Sequence, residues 1–308
     1  MRGVVIMNND IDLPPWAEKF QFWHHSPNGC MRPDFMEFIE KAVARPLGIY
    51  SPPNSPMIGG TQAEAHAKRV VIDGDDETES FRHALSEMQA HKPADYNEAD
   101  AVKHKIILNE EYQSDVVEGL TDTIYALTLK HMVLGLQEAT KGENQVVDGP
   151  WISLKLEGLA LDFAGEIDVQ TRGVVELKTR WPKLNKSERG WGVNSLPAKP
   201  DANHVAQTAI YWAWMRQQSE NVPVTIVYAN CKGYRVFSSQ DCEELQPARL
   251  DDAVERYKLI AKTRENLMSK CNSVKELMSL VAPDFSHWMW KDKSPEYKQL
   301  AEQTWSIS

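Results

Sequence analysis

Two carboxylates and a lysine crowd one short stretch of this chain: Gly165-Glu166-Ile167-Asp168 is followed by Val174-Val175-Glu176-Leu177-Lys178-Thr179. Strand side chains alternate between faces, so Glu176 and Lys178 project to one side and a hairpin can bring Asp168 up beside them. Such a trio suits phosphodiester hydrolysis. Two acidic side chains and a backbone carbonyl, that of Leu177, make an all-oxygen site for a hard divalent cation, expected to be Mg²⁺ with Mn²⁺ as its substitute. The cation keeps waters that can serve as nucleophile. Lys178 can lower the pKa of that water, orient it, or offset charge building up on the phosphorane oxygens. The competing reading is an ordinary ion pair on an exposed strand, worth about 1 kcal/mol or less. Val174, Val175 and Leu177 instead suggest a strand embedded in a core, where a charged pair is costly unless it coordinates or pairs with something.

The elements that must position these groups can be read from periodicity. Residues 159–169 and 173–177 are apolar-rich and β-branched, and Gln170-Thr171-Arg172-Gly173 between them reads as a turn ending in glycine. Further strands are expected over 152–156, 222–228 and 234–238, the last two forming a hairpin around Asn230-Cys231-Lys232-Gly233. Phe81, Leu85 and Met88 keep helical spacing, as do Val116, Val117, Leu120, Ile124 and Leu127, with a break near Gly119. A helix is expected near 33–44, another over 204–215, and helices again from Pro247 through Met278. Trp288, Trp290 and Trp305 in the tail are expected to pack on the body. At 308 residues, with 42% hydrophobic residues, the chain reads as a single domain. Within 1–308 its parts are an irregular segment 1–60, a helical part 61–145, a sheet core 150–240 and C-terminal helices 247–308.

The hairpin resembles the core of the PD-(D/E)XK nuclease superfamily, with Asp168 as the lone aspartate and Glu176-Leu177-Lys178 as its E-x-K. Two further motifs add specificity. Gln207-Thr208-Ala209-Ile210-Tyr211 matches the Q-x-x-x-Y helix motif of the RecB-like branch, and Gly60-Thr61-Gln62-Ala63-Glu64-Ala65-His66 looks like that branch's first motif, a glycine-led helix start carrying a metal ligand. The three motifs stand in the expected order over roughly the middle half of the chain. They are similar to those of RecB-like single-strand exonucleases, the group that holds the mitochondrial genome maintenance exonuclease and its phage relatives. The resemblance implies an α/β fold with a central mixed β-sheet flanked by helices, a restriction-endonuclease-like core, and an N-terminal helical insertion arching over the site. It implies a metal-dependent single-stranded DNA exonuclease working from a free end. A structure-specific endonuclease on the same core, or a catalytically silent nucleic-acid-binding module, are the alternatives.

By resemblance, Asp168 and Glu176 hold the metal and Gln207 and Tyr211, one helical turn apart, contact the nucleic acid or support Lys178. The first motif departs from the pattern. Spacing from Gly60 puts the ligand on Glu64, while the histidine usual there appears as His66, and positions two apart do not share a helix face. Thr61 and Glu64 could also form a capping box, which would leave His66 for the metal. Glu64 is preferred for its oxygen ligands, with His66 as the alternative. Trp212 and Trp214 on the same helix are expected in the core.

The chain is acidic overall, with a net charge of -10 and a pI near 5.4, which excludes generic adhesion to nucleic acid. Locally, 178–199 carries Lys178, Arg180, Lys183, Lys186, Arg189 and Lys199 against Glu188 alone, with Trp181 and Trp191 interleaved. Cations for phosphates and aromatic faces for bases suit a single strand, so Arg180, Trp181, Lys183 and Lys186 are candidate DNA contacts beside Gln207 and Tyr211. Asp73 to Glu79 reads as a solvated loop and helix start. Cys30, Cys231, Cys242 and Cys271 lack the close spacing that grips a cluster, so no iron–sulfur centre is expected. His24 and His25 with Cys30 make a poor zinc site, because adjacent histidines point apart. No stretch approaches a membrane span, and no basic-then-apolar leader opens the chain. The expectation is a monomer in the cytoplasm, or in a host's cytoplasm if the chain is phage-encoded.

Overall fold

The computed structural model of the protein describes residues 13–15, 24–27, 53–93, 98–108, 123–184, 191–192, 194–281, 284–285, 293 and 295–306. Within them the order is β1 (His24–His25), α1 (Ser55–Lys68), a π-helical turn (Arg69–Asp73), α2 (Glu77–Ala90), α3 (Glu98–Leu108), α4 (Ile124–Ala139), β2 (Val147–Asp148), β3 (Trp151–Leu154), β4 (Asp162–Glu166), β5 (Val169–Gln170) and β6 (Val174–Thr179). There follow β7 (Lys183–Leu184), β8 (Trp191–Gly192), α5 (Ala202–Arg216), β9 (Val224–Asn230), β10 (Gly233–Ser238), α6 (Pro247–Ser269), α7 (Val274–Leu280) and α8 (Pro295–Ser306). The fold is α/β, with mixed sheets and packed helices.

The chain divides into two compact units, each discontinuous in sequence: Met1–Ser51 with Trp151–Gly165 and Asp251–Ser308, and Pro52–Pro150 with Glu166–Leu250. In the first, β1 runs parallel to β4, pairing His24 with Asp162 and His25 with Phe163. Glu265 is buried there and fully used, accepting from Ala160 N at 2.8 Å and Leu161 N at 2.9 Å, with His25 Nε2 at 2.9 Å.

The second unit holds every described residue of the three motifs. Its sheet has the order β10-β9-β6-β5-β2. β6 pairs parallel with β9, from Val174 with Val224 to Thr179 with Ala229, while β10 folds back antiparallel on β9 in the expected hairpin, with Gly233 opposite Asn230. The link from β6 to β9 runs through α5, a βαβ crossover. Val174, Val175, Glu176 and Leu177 are all buried, as expected of a strand covered on both faces. One face presents Val175, Leu177, Val227 and Ala229 to Met132, Val133 and Leu136 of α4. The other carries Glu176, Lys178, Ile226 and Tyr228, and there the hydroxyl of Tyr228 meets the start of α5 at Asp201 N (3.1 Å) and His204 Nδ1 (2.7 Å).

The helices begin where side chains can satisfy their first amides. Asn54 caps α1 by accepting from Met57 N at 3.0 Å, and the buried carboxylate of Asp100 accepts from Ser55 N and Ser55 Oγ at 2.9 and 3.0 Å, tying α1 to α3. Asp76 caps α2 and Thr123 caps α4. Tyr125 on α4 donates to Ala84 O at 2.9 Å and joins Phe81, Leu85 and Met88 in a core beneath α1 and α2. The acidic run 73–79 is exposed, as expected.

The structure corrects several expectations. The strand read over 159–169 is broken: β4 ends at Glu166 and β5 begins at Val169, because β4 pairs in the three-stranded sheet and β5 in the five-stranded one. Helix α1 begins at Ser55, not at Gly60, so Thr61 is an interior residue and the capping box with Glu64 does not form. Within the basic segment after Lys178, β7 and β8 pair antiparallel, Lys183 with Gly192 and Leu184 with Trp191. The expected helix near 33–44, residues 116–120 of the next, Cys30, Lys186, Arg189, Trp288 and Trp290 lie outside the described residues, as do the side chains of Lys183, Trp191 and Trp305.

The break before β5 requires close backbone approach. Gly149 N donates to Asp168 O and Ile167 N to Pro150 O, and a Cβ on Gly149 would come within 1.8 Å of Ile167 O. Replacing Gly149 by alanine should therefore destabilise the protein by about 1–3 kcal/mol and disturb Asp168 with it, read as a lower denaturant midpoint at unchanged slope.

Candidate active site

Asp168 reaches Glu176 by register. Val169 pairs with Val175 and Gln170 with Val174, so one step further along the ladder sets Asp168 opposite Glu176, on the same face. No backbone rung forms there. The Asp168 side chain takes its place, with Oδ2 accepting from Leu177 N at 2.7 Å. Because the N–H and C=O of one strand residue point the same way, the carbonyl of Leu177 faces the same edge, past the end of β5. Lys178 closes the group by donating to Glu176 Oε1.

Glu176 is fully buried, and its Oε2 has no hydrogen-bond partner. Burial and the neighbouring Glu176 charge push the Asp168 carboxyl well above the ordinary carboxylate range, against the pull of Lys178. Burial likewise raises Glu176. Burial pulls the Lys178 pKa down, but Glu176, Asp168 and Glu64 outweigh it and hold the ammonium charged. Two carboxylates thus face one cation, so with both ionised one negative charge is uncompensated in a desolvated site, and without a further cation the pair tends to keep a proton. A hard divalent cation fits that imbalance and the orphaned Oε2.

Glu64 acts electrostatically on all three groups, yet it is committed elsewhere. Its Oε1 lies 2.6 Å from Lys68 Nζ, which also holds Asp148 at 2.8 Å. Among the described residues no set of three or more His, Cys, Asp and Glu side chains is therefore gathered for a metal; Asp168 and Glu176 form the converged pair, and Glu64 stands beside it, held by Lys68. His66 is turned away. It is buried against α2, with Nδ1 2.9 Å from Ser80 Oγ and its ring edge-on to Phe81, and burial lowers its pKa to about 4.

On α5, Gln207 and Tyr211 are both buried, and Gln207 Nε2 donates to Tyr211 Oη at 3.3 Å. Burial and the charges of Glu176, Asp168 and Glu166 raise the Tyr211 pKa, so it stays a hydroxyl beside the acidic pair. Trp212 is in the core as expected. Trp181, expected at a base-stacking surface, is also core: it stacks on Tyr125 at 6.0 Å and lies against α1, where a Cβ on Gly59 would come within 2.8 Å of it. The ring faces a strand would need are occupied by protein. Arg180 is half-buried, with its guanidinium bonded to Asp201 and 5.3 Å from the centroid of Tyr228.

Sequence reasoning missed Lys68, Asp148, Asp201, His204 and Tyr228. Signals existed for two of them: His204, Gln207 and Tyr211 fall at i, i+3 and i+7 of a helix, the spacing of a single face, and Lys68 follows Glu64 at i+4. The others are joined to the site by tertiary pairing alone.

No family model and no curated protein matches the chain. Among solved structures, one titled "Crystal structure of SSO0001" is similar at 16% identity with a TM-score of 0.26, covering 59% of this chain and 81% of that one. A likeness that loose carries no argument about fold or chemistry.

The charge imbalance has a measurable consequence. Asp168→Asn can keep the bond to Leu177 N while removing the repulsion with Glu176, so it should stabilise the protein in EDTA, by about 2–4 °C in Tm for each kcal/mol gained. In the parent, Mg²⁺ or Mn²⁺ should raise Tm, and in the variant that response should vanish. Raised carboxylate pKa values mean that the folded protein holds a proton the unfolded chain has released, so the stability of the parent in EDTA, measured relative to Asp168→Asn, should fall as pH rises from the ordinary carboxylate range up through the raised values. His66 and His204, whose lowered pKa values act in the opposite sense over pH 4 to 7, cancel in that comparison, and a difference that stays flat with pH in calorimetry would contradict the charge count.

Proposed function

We propose that this chain is a metal-dependent nuclease of the PD-(D/E)XK superfamily, of the RecB-like branch, that hydrolyses single-stranded DNA from a free end. The observation that carries the reading is the Asp168–Glu176 pair, Glu176 fully buried and Asp168 half-buried, with a single lysine and an unpartnered Glu176 Oε2. Asp168, Glu176 and the Leu177 carbonyl would hold Mg²⁺ or Mn²⁺, with Glu64 joining on release from Lys68. The ion supplies charge for the phosphate and a water acidic enough to attack it.

The chain's own groups serve the same displacement. Water oxygen bonds to phosphorus, the bond to the departing nucleotide oxygen breaks, and that oxygen takes up a proton. Lys178, held charged by its carboxylate neighbours, can orient the attacking water and offset negative charge on the phosphoryl oxygens. Tyr211, held as a hydroxyl, accepts from Gln207 and so has its own proton to offer an oxygen in the site. Arg180 and the lysines of 178–199 favour a polyanion despite the acidic total. Trp181 is excluded from base stacking by its burial.

The test is digestion of an end-labelled linear single strand and a closed single-stranded circle, each with Mg²⁺, Mn²⁺ or EDTA. Metal-dependent loss of the linear strand with the circle intact is expected, and Lys178→Ala should slow it on the order of 10²–10³-fold. Cuts in the circle would make the enzyme an endonuclease. Binding without cleavage in either metal would defeat the catalytic reading.

A further inference from the structure

The row that carries Glu176 and Lys178 continues to Arg180 at the same two-residue step, about 6.6 Å along a strand. Arg180 N donates to Ala229 O at 2.8 Å, which keeps it in the ladder. Its guanidinium is bonded to the Asp201 carboxylate, while its Nε is buried with no acceptor. Asp201 stands at the N-cap of α5 but makes no side-chain capping bond; its carboxylate is given to Arg180 instead.

His204 completes the group. Tyr228 Oη accepts the Asp201 backbone N–H at 3.1 Å, so its own proton is available to His204 Nδ1, 2.7 Å away. His204 then carries its ring proton on Nε2. Burial, with Lys178 and Arg180 nearby and Asp201 opposing them, lowers its pKa to about 4. The imidazole is neutral at pH 7 and offers Nε2–H as a donor.

We propose that Arg180 and His204 form a second phosphate subsite, one nucleotide along the strand from the Asp168–Glu176–Lys178 cluster, and that the Asp201 carboxylate holds Arg180 in the phosphate's place until the strand arrives. A guanidinium fork accepts carboxylate and phosphate in the same geometry, and an acceptor for Nε is what the present pairing lacks. The two-residue step is comparable to the interval between successive phosphates of an extended strand, so one register serves both positions. The subsite rests on the nuclease reading for the identity of its neighbour.

Affinity for a fluorescein-labelled oligothymidine, read by anisotropy in EDTA across a salt series, tests it. Arg180→Gln should weaken binding about tenfold and reduce the salt slope by about 1. Asp201→Asn, which frees Arg180, should tighten binding about threefold, and His204→Gln should retain more affinity than His204→Ala. Unchanged affinity in Arg180→Gln, or weakening by Asp201→Asn equal to that by Arg180→Gln, would overturn the subsite and make the pair a structural strut. Should Arg180→Gln fail to fold, the sign of the Asp201→Asn effect decides alone. Because cleavage plays no part in the readout, a protein that binds through Arg180 yet never cuts keeps the subsite and loses the nuclease reading. One that cuts while Arg180→Gln binds normally does the reverse.

Discussion

The central unit is organised around a charge deficit. Asp168 and Glu176 lie opposite one another in a desolvated site with one lysine between them, an arrangement that costs stability and that a well-packed apolar pair would avoid. Everything around it keeps the deficit from being relieved. Helix α4 seals one face of β6 with Met132, Val133 and Leu136. Gln207 and Tyr211 bury the other with neutral groups. Glu64, the remaining acid, is diverted to Lys68, which in turn is balanced by Asp148. A fold selected for stability alone would have put that lysine, or another, against Asp168.

The carboxylate pair is made possible by a failure of strand pairing. Had β4 and β5 been one strand, a backbone carbonyl would have met Leu177 N, and Asp168 would have been an ordinary cross-strand residue. The break at Ile167-Asp168 frees the Asp168 side chain to take that amide itself, which fixes the carboxylate's orientation without a second side chain to hold it. Gly149 allows the neighbouring backbone to close over the break.

Much of this was legible in the sequence, and the limits follow from what periodicity encodes. Alternation along 174–179 gave the face shared by Glu176 and Lys178, and the 3.6 period gave the α5 face shared by Gln207 and Tyr211. The Asn230–Gly233 hairpin followed from turn chemistry. What misled was continuity: 159–169 is apolar-rich along its length, yet it changes sheets, and a change of partner leaves no mark on local propensity. Gly60 reads as the start of α1, whereas Asn54 and Pro56 are the start signals. Trp181 looked like a stacking surface because its neighbours in sequence are basic; its neighbours in space are Tyr125 and Gly59.

The same distinction bears on the acidic total charge. A net charge of -10 repels a polyanion at a distance, but only within about 8 Å of a given charge at physiological ionic strength. If the proposed subsite holds a strand, Arg180, Lys178 and a neutral His204 govern what it meets at that range; the two cations are already matched to acceptor oxygens, Asp201 for Arg180 and Glu176 for Lys178, while His204 accepts the Tyr228 proton at Nδ1. Binding would then be an exchange of acceptors at the two cations, phosphate oxygens for protein oxygens, in which little new charge must be desolvated. Exchange of this kind favours a ligand that can replace several acceptors at once in fixed spacing, and a polymer of phosphates does so where single anions do not.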